Sequence, residues 1–369
     1  MPAFAALTTD AKLPDPFTSM DGTRISQKSQ WTCRRAEISA EAQQFEFGTK
    51  PPPPASVTGS TSGNSIVVNV SSGGKSISFT ATVSLPTTGK APYPAMIAIG
   101  GISLNAQALA QQGVAIVTFP NDDIAAQASA SSRGQGKFYD LFGSNHSAGA
   151  MMAWAWGVSR LIDVIAQTPA TKIDPTRLGV TGCSRNGKGA LTVGAFDERI
   201  VLTIPQESGS GGAASWRVSD AMLAAGTNTQ TLSEIVGENV WFASSFKQFS
   251  GMTNKLPYDQ HTVEALVAPR ALLVIENDIA WLGPLSTFTS STAANTVWKA
   301  LGIPDHMGFS QVGNHAHCSF PASEQSDVDA FVQKFLVGGG TASTAILRTT
   351  DNFTYDASKW QDWTVPTLQ

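Results

Sequence analysis

"VTGCSRNGKGAL", Val180 to Leu191, sets a serine between the end of an apolar run and a glycine-rich stretch carrying two cations. The run Leu178 to Thr181 reads as a buried strand and Lys188 to Phe196 as a helix. Ser184 therefore stands at a strand-turn-helix junction, the context of a nucleophile elbow. Such a turn needs small neighbours, and Gly182 and Gly187 can supply them, although Asn186 occupies the position that Gly-x-Ser-x-Gly gives to its second glycine. On the motif alone Ser184 could equally be the N-cap of the helix. Arg185 and Lys188 favour chemistry, because cations near a helix N-terminus oppose the macrodipole at a cost of about 0.3–1 kcal/mol each. Arg185 is expected to assist its own backbone N–H in stabilising an oxyanion, and Lys188, one turn on, to hold a substrate oxygen.

Outward from this junction, Ala95-Met-Ile-Ala-Ile, Val114-Ala-Ile-Val, Val201-Leu-Thr-Ile and Ala271-Leu-Leu-Val-Ile are further short apolar runs, each the mark of a strand buried on both faces. Ala148 to Ile165 reads as an interior helix, apolar nearly all round, and Val328, Phe331, Val332, Phe335 and Leu336 follow a helical stripe. Ile66 to Val70 and Ile77 to Val83 alternate about Gly73-Gly74 as a hairpin. Residues 1–60, rich in Pro, Gly, Ser and Thr, read as an irregular wrapping segment of the same domain, and residues 61–369 as the catalytic domain. The alternation of strands and helices predicts an α/β fold, a three-layer αβα sandwich with an N-terminal extension and hairpin.

The chain of 369 residues is 14% charged with a formal net charge of −4, and it has no long block of like charge. Nothing in this pattern suits nucleic acid. No apolar run approaches the roughly 18 residues of a membrane span, and the N-terminus lacks a basic segment followed by an apolar one, so the expectation is an intracellular protein or a processed form. Three sequons, at Asn69, Asn145 and Asn352, favour secretion.

A serine nucleophile needs a base. If the order along the chain is serine, acid, histidine, His146 is excluded, and His261 and His306 do not follow an apolar strand end. His315 and His317 lie in a loop before the last amphipathic helix, where the base is expected. Cysteine separates them: Cys183 adjoins Ser184 and Cys318 adjoins His317, so a Ser–His contact would bring both within disulfide reach, favouring His317. Cys33 is left over. For the acid, Glu207 ends the strand after that of the nucleophile, while Glu276 and Asp278 end the next, and spacing alone does not choose between them.

Together, GCSRNGKGA, PQESGSGG and NHAHC resemble the fungal glucuronoyl esterases, carbohydrate esterase family 15, from about Leu13 to the end of the chain. The resemblance implies an α/β-hydrolase fold and a secreted serine esterase that cleaves the ester between 4-O-methyl-glucuronic acid of glucuronoxylan and lignin alcohols. It assigns Ser184 as nucleophile, Glu207 as acid and His317 as base, bridges Cys183 to Cys318, and implies sugar contacts at Lys188, Gln230, Glu238 and Trp281. It implies no metal or cofactor, no nucleic-acid or membrane partner, and a monomer. Specificity is expected to rest on the sugar hydroxyls, with the alcohol loosely read. Fungal members usually carry three disulfides, whereas this chain has cysteines for one. An acetyl xylan esterase with the same triad, or a silent polysaccharide-binding protein, are the alternatives.

Overall fold

The computed structural model describes residues 1–369. Ten strands form one sheet in the order β1-β2-β3-β5-β4-β6-β7-β8-β9-β10. They are β1 (Ser56–Ser62), β2 (Ser65–Ser72), β3 (Lys75–Ser84), β4 (Tyr93–Ile99), β5 (Ala115–Phe119), β6 (Ile173–Cys183), β7 (Ile200–Gln206), β8 (Ala271–Glu276), β9 (Met307–Gln311) and β10 (Leu347–Thr349). From β5 through β4 to β10 the strands run parallel; β1, β2 and β3 join antiparallel at the β5 edge. The hairpin turns at Gly73-Gly74, with Ser72 opposite Lys75.

The apolar strands are covered on both faces. Ala95, Ile97, Ile99, Leu272 and Val274 belong to one large core, and the alternate residues Met96, Ala98, Leu273 and Ile275 to a smaller one across the sheet. This is the pleat sorting a continuous apolar run into two layers. The helix Ala150–Gln167 fills the larger side and is buried from Ala150 to Ile162. It meets the helix Arg185–Phe196 where Gly189 leaves no space for a side chain: a Cβ there would lie 2.8 Å from the Trp154 ring. No helix is long and apolar enough to cross a membrane. The fold is that of the α/β-hydrolases.

The first 60 residues depart from the expectation of irregular structure. Lys28–Ala42 is a helix, opened by a reciprocal capping box between Gln27 and Gln30. Its buried face is Trp31, Arg34, Ile38, Glu41 and Ala42, and Arg34 is paired to Glu37 at 3.1 Å and Glu41 at 3.8 Å. Two charges in the stripe hid a helical period from a hydrophobic reading. The boundary at residue 60 also falls inside β1, which pairs with β2 along its whole length. The helix after Ser184 starts at Arg185 rather than Lys188.

Candidate active site

β6 ends at Cys183, and the chain turns sharply through Ser184 at φ 60°, ψ −129° before the helix Arg185–Phe196 begins. A positive φ is strained for a residue with a Cβ, and the surroundings hold it there. The Ser184 N–H donates to Gln206 O at 3.0 Å on the adjacent β7. The two glycines are required by contact: a Cβ on Gly182 would lie 2.3 Å from Asn186 O, and one on Gly187 2.6 Å from Gln206 O. The Ser184 side chain makes no capping hydrogen bond, so the N-cap does not account for its hydroxyl. Asn186, in place of the usual glycine, accepts from Asn121 and Gln127, each at 3.3 Å, and ties the elbow to the loop beyond β5.

Cys183 and Cys318 are joined in a disulfide with their Cα atoms 5.7 Å apart, which brings the loop after β9 to the elbow. His317 in that loop sets Nδ1 2.7 Å from Glu207 Oε2. Glu207 is fully buried, at φ 46° just past the end of β7. Its Oε2 also accepts from the Cys318 N–H at 2.9 Å and from Asn277 Nδ2 at 3.2 Å, while Oε1 accepts from Gln206 Nε2 at 3.0 Å. Burial alone would raise this carboxyl, but the donors, His317 first, outweigh it and hold the pKa below its ordinary value. An ionised acceptor fixes the imidazole with its proton on Nδ1. His317 Nε2 is buried with no protein partner, and its lone pair is available to accept a proton.

The competing candidates are committed elsewhere. His315 donates from Nε2 to Val312 O at 2.8 Å and receives Asn277 Nδ2 on Nδ1 at 3.2 Å, so both ring nitrogens are spent. Asp278 Oδ2 accepts the Asn314 N–H at 2.9 Å and shapes the turn before the histidine loop. Glu276 is fully buried, and burial raises its pKa to about 8, so near neutrality it is an acid bonded to Thr287 Oγ1 at 2.6 Å and to the Asn277 N–H at 3.0 Å. His261 lies in the core on Pro14 O at 2.8 Å. Sγ of Cys183 and Cys318 lie with Glu207 and His317 within 4.8 Å of one another, but the sulfurs are bonded to each other and carry no charge for a cation.

Arg185 is exposed beside Ser184, its guanidinium 5.5 Å from the centre of the Trp241 ring. Lys188 is 95% buried, donating from Nζ to Ser208 O and to Ser210 O at 2.8 Å. Burial lowers its pKa to about 8 against the opposing pull of Glu238 and Glu276. Two carbonyls use two of its three donors, leaving one. Gln230 Nε2 donates to the exposed Glu238 Oε2 at 2.6 Å, and the Gln230 N–H to Trp281 O at 3.0 Å. Trp281, 41% exposed, stands edge-on to the His317 ring with centroids 4.9 Å apart. All four expected sugar contacts therefore belong to one connected cluster beside His317 and the elbow. Trp241, Gln206 and Asn277 were not foreseen. Gln206 and Asn277 each adjoin a candidate acid in the sequence, the only signal they carry, and Trp241 has none.

The chain matches the family described as "Glucuronyl esterase, fungi" over residues 68–302. The 4-O-methyl-glucuronoyl methylesterase of Hypocrea jecorina is 54% identical over 368 residues, spanning 100% of this chain and 78% of that protein. Its counterpart from Neurospora crassa is 52% identical over 359 residues, spanning 97% and 90%. Among solved structures, the glucuronoyl esterase catalytic domain from Hypocrea jecorina is similar with a TM-score of 0.96 at 53% identity, covering 100% of both chains. A serine-to-alanine mutant of the Sporotrichum thermophile glucuronoyl esterase, in complex with methyl 4-O-methyl-β-D-glucopyranuronate, is similar with a TM-score of 0.94 at 49% identity, covering 98% of this chain and 97% of that one. With a family model matching most of its length and relatives more than half identical over nearly the whole chain, the chain belongs to the fungal glucuronoyl esterases.

Proposed function

We propose that this protein hydrolyses the ester between (4-O-methyl-)glucuronic acid of glucuronoxylan and lignin alcohols, through a Ser184–His317–Glu207 triad and an acyl-enzyme. The observation that carries the reading is the bond from His317 Nδ1 to Glu207 Oε2 at 2.7 Å, with the histidine loop clamped to the elbow by Cys183–Cys318. Ser184 Oγ attacks the uronate carbonyl as its proton passes to His317 Nε2. Glu207 holds the imidazole and stabilises the imidazolium that forms. The Arg185 N–H and guanidinium stabilise the tetrahedral oxyanion, and with no carboxylate partner the guanidinium is free to do so. Collapse breaks the bond to the alcohol oxygen, which takes the proton from His317. Water, activated by the same imidazole, then attacks the acyl-enzyme, releasing the uronate and restoring the Ser184 hydroxyl.

The carboxyl being attacked is uncharged until cleavage, so the sugar must be read by its hydroxyls. Lys188 offers its remaining N–H, the Gln230–Glu238 pair offers an acceptor and a donor, and Trp281 offers an indole face and edge. Action outside the cell is supported by the disulfide and by sequon asparagines Asn69, Asn145 and Asn352, all three exposed. The test is hydrolysis of benzyl glucuronate and of acetylated xylan by wild type and Ser184→Ala. Serine-dependent cleavage of the uronate ester is expected, with Ser184→Ala slower by at least about 10⁴-fold. Release of acetyl groups alone would overturn the substrate while keeping the triad.

A further inference from the structure

A cavity of about 630 Å³ lies well away from the triad. It is enclosed by the helix Lys28–Ala42, the segment around Lys50 and Pro51, and the loop of Asp197 to Arg199 that leads into β7. β7 starts at Ile200 and ends at Gln206, whose carbonyl takes the Ser184 N–H. A strand of that length spans about 20 Å, so cavity and elbow stand at opposite ends of the sheet.

The cavity is cationic. Arg160 is only 4% exposed, yet Nε alone is bonded, to Asp163 Oδ2 at 2.6 Å. Both of its terminal nitrogens lack a protein partner and keep accessible surface in the cavity. Lys50 Nζ donates once, to Phe196 O at 2.6 Å, and has two N–H groups left. Arg199 is held by Asp163 and Asp197, and Arg35 by Glu198. Lys50, Arg160 and Arg199 thus carry three positive charges against two on Asp163 and Asp197, and the excess falls on the two side chains with free donors. Burial lowers Lys50 to about 8, with Arg160 and Arg199 adding to the effect and Asp197 opposing it. A bound anion would relieve that crowding.

The remaining lining suits a sugar ring: Pro51, Pro53 and Phe196 give apolar faces, and Thr32 and Ser39 give hydroxyls. A phosphate dianion would exceed the single surplus charge, whereas one carboxylate matches it and fits the open guanidinium fork as a bidentate pair.

We propose that this cavity binds an unesterified hexuronate, the free glucuronic acid side group of the polysaccharide whose esters the triad cleaves. The choice of polymer rests on the esterase reading above. The carboxylate sits between Arg160 and Lys50, and the ring hydroxyls meet Thr32 and Ser39. The triad acts on the neutral ester while the cavity holds the free acid, so a stretch of chain already cleared of esters keeps the enzyme on the polymer.

The experiment measures the Kd of methyl glucuronoside, as its sodium salt, by calorimetry. It also measures retardation of the protein in native gels containing saponified glucuronoxylan or unsubstituted xylan. Lys50→Gln and Arg160→Gln are each expected to weaken the Kd about tenfold, the scale of one charge-assisted hydrogen bond, and to abolish retardation in saponified glucuronoxylan. Trp281→Ala is expected to change neither, and unsubstituted xylan to retard none of the proteins. Unchanged kcat/KM on benzyl glucuronate reports that each cavity variant is folded. Lys50→Gln, which gives up one bond to a carbonyl, decides the matter if Arg160→Gln is misfolded. No binding by wild type, binding that Trp281→Ala weakens and Lys50→Gln does not, or equal retardation by unsubstituted xylan overturns the cavity site and leaves the esterase reading standing. Wild type that leaves benzyl glucuronate intact overturns the esterase reading instead, since the binding arm needs no turnover.

Discussion

At Glu207 four donors converge on one carboxylate, from His317, Cys318, Asn277 and Gln206. A group so surrounded can stay ionised while fully buried, and an ionised partner is what an imidazole needs to hold its proton on Nδ1. Glu207→Gln keeps the shape and can present Nε2 to the ring, favouring the wrong tautomer. Its kcat on a uronate ester is expected to fall by about 10⁴-fold, the scale for a neutralised triad acid. Asp278→Asn, whose carboxylate serves the Asn314 N–H instead, should cost less than about tenfold, since it removes one loop contact. Comparable losses in the two variants would show that the acid role is shared and sink the assignment. Ser184 and His317 were legible because each needs its own local pattern: a strand running into a glycine turn, and a histidine next to a cysteine that can reach the elbow. Glu207 was not separable from Glu276 and Asp278 by spacing, because choosing depends on donors contributed by Asn277 and the Cys318 backbone, from the next strand end and the histidine loop. Trp241 was invisible for the same reason, lying far along the chain from the cations it underlies.

Among the elements, the apolar strands from β4 to β8 declared themselves, since a strand buried on both faces is usually a near-continuous apolar run. β9 did not. Its residues Met307–Gln311 are all buried, yet Ser310 and Gln311 are polar, and Ser310 Oγ is satisfied by Glu324 at 2.7 Å and Asp327 at 2.9 Å. β1, an edge strand of mostly Ser and Thr, lacked a pattern to read. The connection that matters most for the site is covalent: Cys183–Cys318 closes a sequence separation of 135 residues between the ends of β6 and β9. In the chain-entropy view a loop of that length contributes about 4–5 kcal/mol by restricting the unfolded chain. The double variant Cys183→Ala/Cys318→Ala should therefore unfold at lower denaturant with a lower Tm. It should also lose kcat more than it raises KM, because the imidazole drifts from the hydroxyl while the sugar contacts remain. An unchanged kcat in the folded double variant would limit the bridge to stability alone.

For the molecule as a whole, the fold buries several carboxyls with no full counter-charge, one on β8 and the others on helices, and this sets how stability responds to pH. Burial raises Glu46, Glu264, Glu276 and Glu324 to about 8 each and Glu41 to about 7. At neutral pH the four raised to about 8 are mostly protonated in the folded chain and Glu41 about half so, while all are ionised in the unfolded one, so the folded state binds more protons and stability falls as pH rises from the ordinary carboxylate range towards 8. Opposing groups act outside the upper part of that range. Burial lowers His261 to about 4, so its contribution rises with pH only up to the ordinary histidine value near 6.5. Asp197, lowered to about 2 by bonds from Arg199 that outweigh its burial, acts lower still. Lys50 and Lys188, lowered to about 8 by burial, add stability only above that value. Between pH 6.5 and 8 the buried glutamates therefore dominate the response, and one fully shifted group changes stability by about 1.4 kcal/mol per pH unit. Tm measured at constant ionic strength should fall across that interval. Glu264→Gln, which keeps a neutral side chain beside Ser290 and Ser291, should make the fall shallower. A Tm that is flat or rises from pH 6.5 to 8 would mean that these carboxyls are ionised in the folded protein, and their hydroxyl and amide neighbours would then have to act as anion-stabilising donors like those around Glu207.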